Sequence, residues 1–155
     1  MIFANEYNHR GAKDLLQSLG LYAFVRSLVD APAVTIQTGA APIIKKHIEA
    51  RLREQGWAMP AQVRQGYNPS LNAMHPDQVV LQVQTGNIAR AFYDLLKMEA
   101  VFAQDRAVCG VLIVPGNEAS RKLGGNLADF QRIKDELGAL YAPVISLPVL
   151  LLGFE

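Results

Sequence analysis

Two glutamines stand two residues apart in the string Gln82-Val83-Gln84, within the alternating, β-branched run of residues 79–84. On a strand, side chains two apart share a face, so Gln82 and Gln84 point one way while Leu81 and Val83 point into the other layer. Paired amides near the end of a buried strand are costly unless each finds partners. They read either as a hydrogen-bonded pair closing a sheet end or as part of a site. The three histidines, His9, His47 and His75, lie far apart in the chain, where each reads more simply as a packing or surface residue than as a general base; His47 is expected to face solvent. Cys109 is the only thiol and sits in the apolar string AVCGVLIVP, so it reads as a small core residue. No Gly-rich phosphate loop, nucleophile elbow or metal-ligand spacing is present in the sequence, which ranks a small-molecule enzyme last.

The elements that must position these residues follow from periodicity. Residues 11–29 have helical spacing of apolar side chains, with Gly20 able to break or bend the helix. A short extended piece, 34–37, follows. Residues 41–55 read as a helix with Pro42 in its first turn, Ile44, Ile48 and Leu52 four apart, and Lys45, Lys46, Arg51 and Arg53 on its other side. Residues 57–76 are polar and proline-containing, predicting loop or short irregular strands. Strand 79–84 leads through Asn87, a suitable N-cap, into an amphipathic helix over 88–103. Residues 107–115 are apolar on both faces, as a covered central strand should be. A glycine-containing loop over 115–126, a helix over 126–140 and a last apolar strand over 143–154 complete the reading. Strands alternating with helices imply an α/β fold, a mixed or mostly parallel sheet flanked by helices.

The chain has 155 residues, 15 Lys+Arg against 14 Asp+Glu, and half of its residues are hydrophobic. One domain over residues 1–155 is the expectation, with neither linker nor repeat to divide it. The absence of a signal pattern and of a long apolar run leads us to expect a cytoplasmic protein with no membrane association. The net charge of +1 is uneven along the chain: five Lys/Arg and two acids fall in 41–66, but two Lys/Arg and four acids in 124–155. Near-neutral overall charge therefore does not exclude a nucleic-acid partner, whose phosphates would be met by the local basic segments.

Four ordered features carry a family resemblance. Tyr7-Asn8-His9 lies near the start, LQVQTGNIARAFYDLLKMEAVF occupies the middle, AVCGVLIVP follows, and Leu147-Pro148-Val149-Leu150-Leu151-Leu152-Gly153 lies near the end. Together they resemble the BglII-type restriction endonucleases, a branch of the PD-(D/E)xK nuclease superfamily. The resemblance implies a restriction-endonuclease-like mixed sheet flanked by helices, a duplex DNA partner, a homodimer and Mg²⁺-dependent phosphodiester hydrolysis. In such chemistry a hard cation held by oxygen ligands polarises the phosphate and lowers the pKa of the attacking water.

Carried over residue by residue, the resemblance places the metal-binding Glu on Gln82, the nucleophile-orienting Gln on Gln84, a ligating backbone carbonyl on Val83, and the upstream Asp near Asn72 or Ala73. Asn72 is the better chemical match. The implied catalytic set is thus Gln82, Gln84 and Asn72, and the implied metal set is Asn72, Asp77, Gln82 and Val83. Asp77 enters only if the chain bends between Pro76 and Val79. Both carboxylate positions hold amides, and Asp77 is the only acid between Tyr67 and Asn87. Amide oxygens alone compete poorly with water for Mg²⁺. Weak or absent cleavage is the expectation, and the alternative is a non-catalytic DNA-binding regulator or interaction module on the same fold. The resemblance also brings the loop after the central strand toward the major groove, making Asn117, Ser120 and Arg121 base or phosphate contacts. The charge pattern separately offers Lys45, Lys46, Arg51, Arg53 and Arg64 as candidates for a phosphate-facing surface. The plainer readings are a surface loop and a solvated helix face.

Overall fold

The computed structural model describes residues 1–125 and 127–155. Its central sheet forms where the apolar runs lie: β1 (Phe3–His9), β4 (Ala73–Met74), β5 (Val79–Val83), β6 (Cys109–Pro115) and β7 (Val149–Phe154). They are ordered β1-β7-β6-β5-β4. The β5/β6 and β6/β7 pairs are parallel, and the two edge pairs, β1/β7 and β4/β5, are antiparallel. All seven residues of β6 and all six of β7 are buried, as strands covered on both faces require.

The period-2 alternation of the strands separates two cores. Leu81, Val111, Ile113, Leu150 and Leu152 pack with α1 (Ala12–Ser18), α2 (Tyr22–Ser27) and α3 (Ala41–Glu54). Val80, Leu112, Val114, Val149 and Leu151 face the other way, onto α4 (Ile88–Phe102) and α6 (Phe130–Glu136). The result is a mixed α/β sheet flanked by helices on both faces, as expected. Asn87 caps α4 with its side-chain oxygen on the Ala89 N–H at 2.8 Å.

Several local readings change. The helix expected over 11–29 is two helices, parted where Gly20 takes a φ of +71°, a left-handed conformation that glycine adopts without steric cost. Residues 34–37 form no strand; β1 and β4 already occupy the sheet edges, and Val34 is buried against the α1–α3 side instead. Periodicity predicts nothing for residues 3–9, yet they form edge strand β1, paired with β7 from Phe3 opposite Phe154 to His9 opposite Val149. The polar segment 57–76 yields β2 (Ala61–Gln62), β3 (Ser70–Leu71) and β4, two residues each, in keeping with short irregular strands.

The segment read as a loop after β6 contains helix α5 (Asn117–Leu123). Its first-turn N–H groups at Glu118 and Ala119 donate to the Glu155 carboxylate at 3.3 and 2.5 Å, a cap supplied from far along the sequence. The start of the helix expected over 126–140 falls at Asn126, outside the described residues. Beyond it, α6 begins only after Asp129, whose carboxylate accepts from the Arg132 N–H at 3.0 Å, and a π-helical turn, Leu137–Tyr141, continues it. The last strand starts at Val149 rather than 143; Pro148 lacks an N–H, and the Leu147 N–H donates to Glu99 at 2.8 Å instead of to a ladder. Among the described residues no helix is long and apolar enough to cross a membrane.

Candidate functional site

At the sheet edge, where β3 gives way to β4, the chain bends at Asn72 and opens a polar cleft of about 270 Å³. Lys45, Glu49 and Arg53 line it from α3, Ser70, Leu71 and Asn72 from the bend, and Gln82 from β5. Spacing explains the α3 contribution: residues four apart on a helix lie on one face, so positions 45, 49 and 53 form one row while Ile44, Ile48 and Leu52 are buried beneath it.

The structure brings Asn72 and Gln82 together in direct contact. The Asn72 N–H donates to Gln82 Oε1 at 2.9 Å, and the Val83 N–H donates to Asn72 Oδ1 at 2.9 Å. Asn72 Nδ2 in turn donates to Glu49 Oε1 at 3.1 Å, and Lys45 Nζ lies 3.7 Å from the same oxygen. These bonds fix both amides end for end. Flipping Asn72 would put NH2 against the Val83 N–H and an oxygen against a carboxylate, losing both contacts.

Gln84, immediately past β5, has different partners. Its Nε2 donates to Asp94 Oδ2 at 2.7 Å, its Oε1 accepts from the Gly86 N–H at 2.8 Å, and its own N–H donates to Ile113 O at 2.9 Å. Asp94 is buried on α4 and pairs with Lys97 at 2.7 Å, three residues on, while Lys97 Nζ also donates to Ser70 O at 2.8 Å. This chain of contacts ties α4 to the strand that borders the cleft. Gln84 is thereby held for packing α4 against the sheet end, with its side-chain oxygen and nitrogen both engaged.

Asp77 does not join the cleft. The chain does bend after Pro76, but as the tip of the β4–β5 hairpin, at the end of β5 remote from Gln82. There Asp77 lies 3.4 Å from His75. His75 packs against the Trp57 ring, and His9 Nε2 contacts Ile145 O at 2.9 Å, so both histidines act in packing. His47 is not on the solvent face: it is half-buried, its Nε2 has no partner among the described residues, and burial, with Arg51 second, lowers its pKa. Cys109 is fully buried, which pushes its thiol up to about 12.

Of the DNA-contact expectations, Lys45 borders the cleft and Lys46 is exposed beside it on α3. Asn117 and Arg121 are exposed on α5, beyond the end of β6 that adjoins Val83. Ser120 is turned inward and buried. Glu49, Asp94 and Lys97 carry site contacts that sequence reading does not assign. An acid among the buried positions of α4, beside Ala91, Leu95 and Met98, was the available signal for Asp94, since such a residue needs a partner. Nothing local links Glu49 to residue 72.

A Mg²⁺ ion takes oxygen ligands, commonly including carboxylates. Here the oxygens of Asn72 and Gln82 are spent on backbone N–H groups, and the one carboxylate in the lining is already engaged by Asn72 and Lys45. Among the described residues no three His, Cys, Asp or Glu side chains are grouped to hold a metal ion. As arranged, this donor set does not fit Mg²⁺.

The sheet order, its two helical layers and the cleft at its edge define a restriction-endonuclease-like α/β domain. The family model described as restriction endonuclease BglII/BglIII matches residues 4–154, and the chain belongs to that family. Among solved structures, the chain is similar to restriction endonuclease BglII complexed with a DNA 16-mer: TM-score 0.82 at 14% identity, over 100% of this chain and 78% of that one. It is likewise similar to free BglII, with TM-score 0.74 at 12% identity over 97% and 78%. No curated protein matches the sequence.

Proposed function

We propose that the chain binds duplex DNA as a BglII-type domain and has lost metal-dependent phosphodiester hydrolysis. The observation that carries this reading is the orientation of Asn72 and Gln82, whose oxygens face backbone N–H groups where the family resemblance calls for metal-binding carboxylates. Family membership and the likeness to a DNA-bound BglII support DNA as the partner. The exposed cations of α3 and the exposed Asn117 and Arg121 of α5 supply phosphate and base-edge chemistry. Association into a two-fold homodimer would let each protomer address one strand of a palindrome. The apolar groove lined by Phe92, Leu96, Tyr141 and Val144 offers a surface for that second copy.

The test combines duplex binding, followed by fluorescence anisotropy across a salt series, with plasmid incubation in Mg²⁺ or Mn²⁺. Salt-dependent binding without fragments is expected. Discrete fragments would sink the loss of hydrolysis, and undetectable or salt-insensitive binding would sink the DNA reading. Asn72→Asp combined with Gln82→Glu is expected to confer Mg²⁺ affinity; no gain would count against this placement of the ancestral site. Sedimentation of the wild type and of Leu96→Glu reports on the dimer.

A further inference from the structure

The cleft presents the chemistry of an anion site, and we infer that it seats a phosphate group without a metal ion. The inference rests on the DNA-binding reading for the biological source of that phosphate, but its geometry stands apart from it. Because Gln82 Oε1 is held by the Asn72 N–H, the other end of the amide, Nε2, is left as a donor with no protein partner among the described residues. Asn72 is fixed the same way, with its oxygen turned to Val83 and its Nδ2 turned to the lining. Lys45 and Arg53 add two exposed cations on the same helix row. Two amide N–H donors, an ammonium and a guanidinium are what a phosphate accepts from, and a cation would meet all four unfavourably.

The cleft already holds an anion of the chain's own. The Glu49 carboxylate takes Asn72 Nδ2 at 3.1 Å and stands 3.7 Å from Lys45 Nζ. Glu49 is thus an internal occupant of the donor set, and an incoming phosphate competes with it. A metal site would show the opposite dependence, since Glu49 would then be its only carboxylate. The space of about 270 Å³ admits a phosphate with part of its flanking groups.

The test follows the side-chain NH2 resonances of Asn72 and Gln82 in ¹⁵N-labelled protein, at constant ionic strength, during titration with inorganic phosphate and separately with Mg²⁺. Saturable shifts with phosphate and none with Mg²⁺ are expected. Glu49→Gln should tighten phosphate binding roughly fivefold, the scale of removing one like charge at about 4 Å in a water-like dielectric. Lys45→Ala and Arg53→Ala, at exposed helix positions, should each weaken it by a similar factor. Shifts with Mg²⁺ but not phosphate, shifts with neither, or weaker phosphate binding in Glu49→Gln would each overturn the inference. A short duplex in EDTA separates the sources: phosphate shifts without salt-dependent duplex binding refute the DNA reading and leave the phosphate seat standing.

Discussion

Asp94 is a buried acid whose loss should cost this fold heavily for a single polar side chain. It is 3% exposed, pairs with Lys97, itself only 11% exposed, and accepts from Gln84 Nε2. Asp94→Ala therefore leaves a buried ammonium without its counter-ion and a buried amide donor without an acceptor. Breaking a buried pair from one side costs about 3–5 kcal/mol, and an orphaned buried donor about 1–3 kcal/mol. Lys97 keeps its bond to Ser70 O, so the two effects together come to about 4 kcal/mol. For a chain of this length that corresponds to a fall in Tm of about 8–16 °C. Urea and thermal unfolding followed by circular dichroism measure it. Removing both charges, as Asp94→Leu with Lys97→Met, eliminates the unpaired ion and leaves Gln84 Nε2 as the buried group without its acceptor, a loss of about 1–3 kcal/mol, since Ser70 is only half-buried. The double variant should be more stable than Asp94→Leu alone. A loss below about 1 kcal/mol for Asp94→Ala, or a double variant as damaged as the sum of the singles, would refute the reasoning.

Cys109, with its thiol pushed up to about 12, should resist aromatic disulfide reagents at pH 8 and react only as the chain unfolds; prompt stoichiometric labelling of the native protein would contradict its burial. His47 binds a proton less tightly folded than unfolded, by burial first and Arg51 second, so its contribution is complete above the unfolded pKa of about 6.5 and is lost as pH falls through that value toward the lower folded one. Urea midpoints at pH 7.5 and 5.5 should show that loss in the wild type and a smaller one in His47→Gln; equal slopes would refute it. Gly110→Ala would place a Cβ 2.5 Å from Met98 Cε and 2.9 Å from Leu147 Cδ2, between β6 and α4. Both contacts are flexible side-chain ends that can give way, so the cost sits at the low end of overpacking, about 1 kcal/mol, read as a small fall in Tm.

The sheet was legible where burial is two-sided or alternation is clean. Residues 107–115 announce β6 because every side chain must satisfy one of two apolar layers, and 79–84 announce β5 by a β-branched start followed by alternation of apolar and polar residues. Edge strand β1 was not legible, since Asn5, Glu6 and Asn8 break the alternation and its pairing is fixed by β7, at the far end of the chain. Helix α5 was hidden for a similar reason: its cap is Glu155, and local residues offer only a glycine at the N-cap position. At the site, Asn72 and Gln82 were brought together by the family resemblance, and the register of Ala73 opposite Leu81 across the β4/β5 pair is what makes them neighbours. Glu49 could not, since only tertiary packing carries α3 over the bend.

Residue type also leaves open which end of an amide faces a cleft, and here that end decides the chemistry. The bend at Asn72 leaves the Val83 N–H without a strand partner on that side, and the nearest oxygen, Asn72 Oδ1, takes it. Once that bond forms, Nδ2 must point to the lining, where a carboxylate or a phosphate is the matching group. An aspartate at the same position would keep the Val83 bond with one oxygen and aim the other at Glu49, at the 3.1 Å now spanned by a hydrogen bond. Two carboxylate oxygens at that separation repel, and the arrangement becomes favourable only with a proton or a cation between them. The amide and the acid therefore specify sites of opposite sign on one backbone. Residue 72 thus sets the sign at one corner of the cleft, and Gln82, whose oxygen is held by the Asn72 N–H, sets it at the other, which is why both must be exchanged to recover a metal site.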